Sequence, residues 1–203
     1  MNYSSAFPLA FNINFDSFGE ALGYPHGLRD QSFFAVFDRI ADLAGQYKVP
    51  LSIYVIGRDL ENPEVADRVR DWASAGHEIG NHTWSHNMGL GALNYQKTRD
   101  EILRSHELIT AITGRTPRGF IAPAWSTSRR VLSVLIEEGY EYDTSLFPSL
   151  MLYPMLARIA LNHLKNPERL RRLLSRGDWI FPITRPTTPY WSDENYNPTK
   201  WFN

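Results

Sequence analysis

The sequence predicts an α/β fold, a parallel sheet or barrel whose strands are joined by crossover helices. Three observations predict it. Up to Ser145, short apolar or β-branched runs alternate with longer segments of helical spacing. The composition is globular: 203 residues, 43% hydrophobic and 21% charged, enough for one domain with a full core. And Asp16, His82, Pro123 and Asp143 all fall at or just past the end of a predicted strand. That is the rim where parallel α/β folds place their sites.

Each element follows from its local pattern. Pro8 to Asn14 is a short apolar run and reads as a buried strand. Ser32 to Tyr47 carries Phe33, Phe34, Phe37, Ile40, Ala41 and Ala44 at helical spacing. Pro50 to Ile56, β-branched and aromatic, reads as the second strand. Asn62 is an N-cap with Pro63 in the first turn, so Pro63 to Ala75 is a helix. Glu78 to Asn81 is a short strand that delivers the segment after it. Asn94 to Thr113 is amphipathic and ends at Gly114. Gly119 to Ala122 is a strand, Thr127 to Glu138 a helix closed by Gly139, and Tyr140 to Asp143 a further strand.

The pattern changes after Ser145. Leu146 to Leu174 is apolar with basic punctuation at Arg158, Lys165, Arg169, Arg171 and Arg172, with Arg176 just beyond. It predicts a helical insertion at about 146–176, a lid packed on the scaffold; peripheral contact with a membrane surface is the alternative. Trp179 to Ile183 reads as a late strand. From Thr184 the chain is rich in Pro, Asn, Tyr and Trp and shows no period. One domain over 1–203 is expected.

Composition excludes several functions. The net charge of −1 gives no general attraction for nucleic acid. With no Cys, disulfides and thiolate metal sites are out, so any metal must use His, carboxylates and water. The N-terminal Met1-Asn2-Tyr3-Ser4-Ser5 has no basic run, and the apolar stretch after it is too short for a signal peptide or a membrane span. A cytoplasmic protein is expected.

The chemistry concentrates in His82-Thr83-Trp84-Ser85-His86, which holds two of the six histidines. Two imidazoles four residues apart form half of a metal site. A catalytic divalent ion takes about three protein ligands and keeps open positions. Asp16, at the end of the first strand, is the natural third ligand. Thr83 and Ser85 are placed to orient the ligands. His77 reads as structural and His106 as a surface residue.

Several ordered blocks resemble the polysaccharide deacetylase family, the NodB-homology hydrolases. They are Asn12-Ile13-Asn14-Phe15-Asp16-Ser17, then Gly76-His77-Glu78-Ile79-Gly80-Asn81 running into the His pentapeptide. Arg115-Thr116-Pro117 with Gly119-Phe120-Ile121-Ala122-Pro123-Ala124-Trp125 follows, and Tyr142-Asp143-Thr144-Ser145-Leu146-Phe147-Pro148 is the last. The first block is closest to the form in formamido-arabinose lipid deformylases. The resemblance implies an irregular (β/α) barrel and metal-dependent removal of acyl groups from amino sugars. It implies a carbohydrate substrate, lipid-linked in one version. Zn2+ is the expected ion, with Co2+, Mn2+ or Ni2+ as alternatives. Asp16, His82 and His86 take the metal positions and Asn14 the base position. In a second register Asp16 is the base and Ser17 meets the metal, but Ser is a poor ligand for a hard cation. Asp143 is expected to orient a partner in the site or to cap a loop, and Pro123 and Trp125 to form a sugar-stacking wall.

The sequence departs from the family at three places. An amide does not titrate usefully, so Asn14 is no general base. Ile121 replaces the Arg that pairs with the base. The Leu-x-His block that carries the general acid is not found; His163, in Leu161-Asn162-His163-Leu164, does not replace it. The first two departures are linked, because a buried Arg without its carboxylate costs roughly several kcal/mol. The third predicts a chain that stops before the barrel closes, or a remodelled tail. Two alternatives to a glycan deacylase follow: a catalytically impaired metal- and glycan-binding module, and a small-amide or cyclic-imide hydrolase.

Overall fold

The computed structural model describes residues 10–16, 31–146, 148–162, 164, 166–168, 170 and 184–201. Its centre is a five-stranded sheet: β1 (Phe11–Phe15), β2 (Leu51–Val55), β3 (Glu78–Asn81), β4 (Gly119–Phe120) and β5 (Tyr142–Asp143). The strands lie in sequence order and every pair is parallel. Four helices alternate with them: α1 (Gln31–Gln46), α2 (Pro63–Ser74), α3 (Tyr95–Thr113) and α4 (Arg129–Glu137). This is the expected α/β architecture. Among the described residues the sheet is open, with β1 and β5 at its edges.

The termini of the helices follow the residues that favour them. Asn62 caps α2, its side chain accepting from the Glu64 amide at 3.2 Å. Asn94 caps α3 through the Lys97 amide at 2.9 Å. Gly114 ends α3 in the left-handed conformation, at φ 70°.

The register explains which side chains meet. Phe15, Val55, Asn81, Phe120 and Asp143 are successive partners in one row across the sheet. In-register residues of a parallel sheet share a face, and neighbours along a strand alternate. Phe15, Ile53, Val55 and Ile79 pack beneath α1 and α2 against Phe34, Phe37, Val69 and Trp72. Phe15 anchors this cluster, edge-on to Phe37 at 4.5 Å and to Trp72 at 5.0 Å between ring centres. A second cluster under α3 and α4 holds Ile102, Phe120, Val131, Val134 and Leu135. The opposite face is polar and aromatic, with Asn14 paired to Tyr54. Gly80 is required there, since a Cβ would come within 2.5 Å of the Tyr54 ring.

Two expectations change. His106 is half-buried rather than on the surface: its Nδ1 lies 3.1 Å from the Tyr140 hydroxyl, with the two rings in edge contact. The segment after Thr184 is not aperiodic; it folds into an antiparallel hairpin of β6 (Tyr190–Ser192) and β7 (Pro198–Trp201). Asp193 organises its turn, accepting from the amides of Asn195 and Asn197 at 2.8 and 2.9 Å. The insertion contains helix α5 (Leu152–Asn162), of which Leu156 is buried. The strand expected at Trp179–Ile183, Ser17 and His163 lie outside the described residues.

Candidate metal centre

Strand parity builds the site. Phe15 and Asn81 turn toward the helices, so the residues after them, Asp16 and His82, turn the other way at the same end of the sheet. β2 lies between their strands. His86 arrives by a tight loop in which Thr83 and His86 both take positive φ, 67° and 55°. Such strain in non-Gly residues persists only where the surroundings enforce it. The surroundings are visible. Ser85 donates to Glu101 of α3 from its amide at 2.9 Å and from its hydroxyl at 2.6 Å. Arg104 stacks on Trp84, 3.8 Å from the ring centre. The amides of Gly57 and Arg58 donate to the carbonyls of Thr83 and Trp84, each at 2.9 Å.

The outcome is a convergent triad. His82 Nε2 lies 3.4 Å from Asp16 Oδ1, and His86 Nε2 lies 3.7 Å from Asp16 Oδ2. One ligand atom from each residue falls within 4.8 Å of the other two. Ligands about 2 Å from a tetrahedral ion stand roughly 3.3 Å apart, so the geometry suits a divalent ion with modest closing. His82 Nε2 and Asp16 Oδ1 are buried and make no hydrogen bond among the described residues. Buried polar atoms are normally satisfied, and two unpartnered ligand atoms 3.4 Å apart fit the donor set of a cation. His82 Nδ1 contacts the Ile121 carbonyl at 2.7 Å. A carbonyl only accepts, so Nδ1 carries the proton and Nε2 presents its lone pair.

The electrostatics agree. Burial pushes the His82 imidazole down to about 4, its bond to Ile121 opposing in part. Burial also lowers His86, against the attraction of Asp16. Asp16 is raised, first by burial, with His86 opposing and Asp59 adding. Neutral imidazoles are the form that binds metal.

The other predicted residues lie differently. Asn14 is exposed, one residue before Phe15 on β1. Pro123 and Trp125 belong to a 3-10 turn after β4, Pro123 buried and Trp125 half-buried. Ala124 and Trp125 there have φ of 50° and 53°, a second strained loop at the strand ends. Asp143 shares its row with Phe120, so it is turned away from the triad. It caps its own loop, accepting from the Ser145 amide at 2.8 Å, and its other oxygen accepts from Tyr196 at 2.8 Å. Ile121 is 8% exposed. Thr83 Oγ1 is buried without a hydrogen bond among the described residues, so it orients none of the three ligands there. His77 is structural, its Nδ1 accepting from the Leu51 amide at 3.2 Å. Glu101 was not legible: it is one acidic residue among several on α3, and nothing in its spacing marks it as the anchor of a loop 16 positions earlier. A cleft of about 450 Å³ lined by Pro50, His77, Thr116 and Arg118 lies at the opposite ends of the strands and plays no part in the triad.

Residues 29–142 match the polysaccharide deacetylase family. This chain belongs to that family. It is 29% identical over 147 residues to a peptidoglycan deacetylase of Helicobacter pylori, covering 72% of this chain and 47% of that protein. A peptidoglycan-N-acetylglucosamine deacetylase of Bacillus cereus is 32% identical over 88 residues, 43% of this chain and 30% of that one. The chain thus spans about half or less of the length of these relatives. Among solved structures, a family 4 carbohydrate esterase from Bacillus anthracis is 26% identical, with a TM-score of 0.52, over 66% of this chain and 56% of that one. A family 4 pseudoenzyme from the same organism shares the fold, with a TM-score of 0.53 at 19% identity over 66% of this chain and 41% of that one. Polysaccharide deacetylase membership therefore accounts for the fold and for the order of the blocks.

Proposed function

We propose that this deacetylase-family chain holds one divalent ion, Zn2+ first among the candidates, and removes an N-acetyl or N-formyl group from an amino sugar or glycan. One observation carries the proposal: Asp16, His82 and His86 converge with two buried, unsatisfied ligand atoms between them. Asp16 supplies one negative charge and the two imidazoles none, which leaves a bound ion a strong Lewis acid toward an acyl carbonyl. His82 is held by Ile121 with its lone pair presented, and His86 by the Glu101-anchored loop. Trp125, half-buried on a rim loop at the same ends of the strands, offers an aromatic face for a sugar ring, with the buried Pro123 fixing the loop behind it. The exposed Asn14 amide has the capacity to donate or accept a hydrogen bond from the sheet face but takes no proton at working pH. Ile121 leaves the site without the charge an Arg would bring.

Metal analysis of the purified protein tests this directly. Stoichiometric Zn2+ in the wild type and its loss in His82→Ala are expected; unchanged metal in the variant overturns the ligand set. Release of acetate or formate from N-acyl chitooligosaccharides, measured against hydrolysis of a cyclic imide, separates a glycan deacylase from a small-amide hydrolase.

Asn14 and Ile121 favour a second reading, a metal- and glycan-binding module with impaired turnover. The double substitution Asn14→Asp with Ile121→Arg discriminates. If the wild type deacylates as fast as the double variant, the impaired reading fails. A lipid-linked substrate and peripheral membrane contact are supported by α5 and its approach, which expose Leu150, Met151, Met155 and Leu161. Among the described residues no helix is long and apolar enough to cross a membrane. Co-sedimentation with anionic vesicles tests the contact.

A further inference from the structure

One peptide group, that between Ile121 and Ala122, is bonded at both ends. Its carbonyl accepts from His82 Nδ1 at 2.7 Å, and its N–H donates to Ser145 Oγ at 2.7 Å. Ser145 donates its hydroxyl hydrogen bond to Asp143 Oδ1, which also accepts from the Ser145 amide at 2.8 Å. The second oxygen of Asp143 accepts from the Tyr196 hydroxyl at 2.8 Å. That hydroxyl, its proton committed to Asp143, takes a further bond from Thr127.

The path is continuous and dry. Ser145 is 0% exposed, Thr127 1% and Tyr196 2%. Hydrogen bonds in such surroundings are stronger than in water and polarise one another. Tyr196 is delivered by the β6–β7 hairpin, in whose turn it takes a φ of 60°. Its own carbonyl accepts from the Tyr190 hydroxyl at 3.0 Å. A large side chain in the left-handed region, buried to its hydroxyl, marks a backbone held for what that side chain reaches.

We propose that Tyr196, Asp143 and Ser145 form a hydrogen-bonded relay that sets the tautomer and orientation of His82 through the Ile121–Ala122 peptide group. They are positioning residues. A rotation of that peptide plane moves the carbonyl away from Nδ1, and among the described residues no other hydrogen bond of His82 holds the proton there. The hairpin, remote in sequence, thereby governs whether Nε2 offers a lone pair to a cation. The relay rests on the metal reading for its purpose, but its geometry does not depend on it.

The test has two independent readouts. Nitrogen-15 imidazole NMR of the metal-free protein reports the His82 tautomer, and titration of Zn2+ against a chromophoric chelator reports affinity. The wild type is expected to carry the proton on Nδ1. Ser145→Ala and Tyr196→Phe are expected to mix the tautomers and to weaken Zn2+ binding roughly tenfold or more, as loss of a ligand's supporting bond does. Ser145→Thr, which keeps the hydroxyl, should retain both properties. A wild type with its proton on Nε2 overturns the relay even if the variants do not fold. So do folded Ser145→Ala and Tyr196→Phe proteins, checked by circular dichroism, with unchanged tautomer and affinity. If the tautomers shift but the wild type binds no Zn2+, the relay stands and the metal reading falls.

Discussion

At the scale of single residues, His82 carries the clearest consequence. It is 1% exposed, and burial holds its imidazole at about 4 against an ordinary value of 6.5. The unfolded chain therefore takes up this proton before the folded chain does. Stability of the metal-free protein should fall as pH drops from about 6.5 to about 4, with no further loss from this group below that window. The lost contribution is at most about 3 kcal/mol. Urea midpoints of the wild type and His82→Asn between pH 7 and pH 4 check it; the variant should show the shallower pH dependence. His82 and His86 were legible in the sequence because their spacing is chemical, and Asp16 because it follows a strand. Asp143 looked equivalent by the same rule. Its position in the Phe120 row puts it on the other face, and a strand boundary uncertain by one residue hides that distinction.

At the scale of elements, the loop from His82 to His86 depends on its neighbours. Its two strained residues are held by Glu101 on α3 and by the turn after β2. Glu101→Ala removes the acceptor for both the amide and the hydroxyl of Ser85. It should weaken Zn2+ affinity about ten- to hundredfold while leaving the helical signal unchanged; calorimetric titration reads it. Gly80→Ala should instead act on β2 and β3, because the new methyl meets the Tyr54 ring. A cost of about 1–3 kcal/mol is expected, seen as a lower thermal midpoint with the loop intact. Helices α1 to α4 were legible from apolar period and caps. The hairpin was not, because its fixing contact joins residues 53 positions apart and its turn rests on one Asp.

At the scale of the molecule, the sheet has two unlike faces. The helix side holds the aromatic core, while the other carries Asn14, Tyr54 and the approach to the triad. Amide exchange should be slowest in β2, β3 and α2, which surround that core, and fastest in α5, where Met155 and Leu161 lie exposed. Equal protection of α5 and β2 would contradict this distribution. The parallel order was predictable from alternation, and the missing Leu-x-His block already pointed to a sheet that stays open; that β1 is one of the edges among the described residues depends on pairing rather than pattern. That edge has a thermodynamic consequence. Asp16 stands at the end of β1, and the two histidines follow β3, with β2 between them. An ion gripped by all three acts as a clasp across three strands, so fraying the margin of the sheet and releasing the ion become one equilibrium. Each raises or lowers the other by the same free energy.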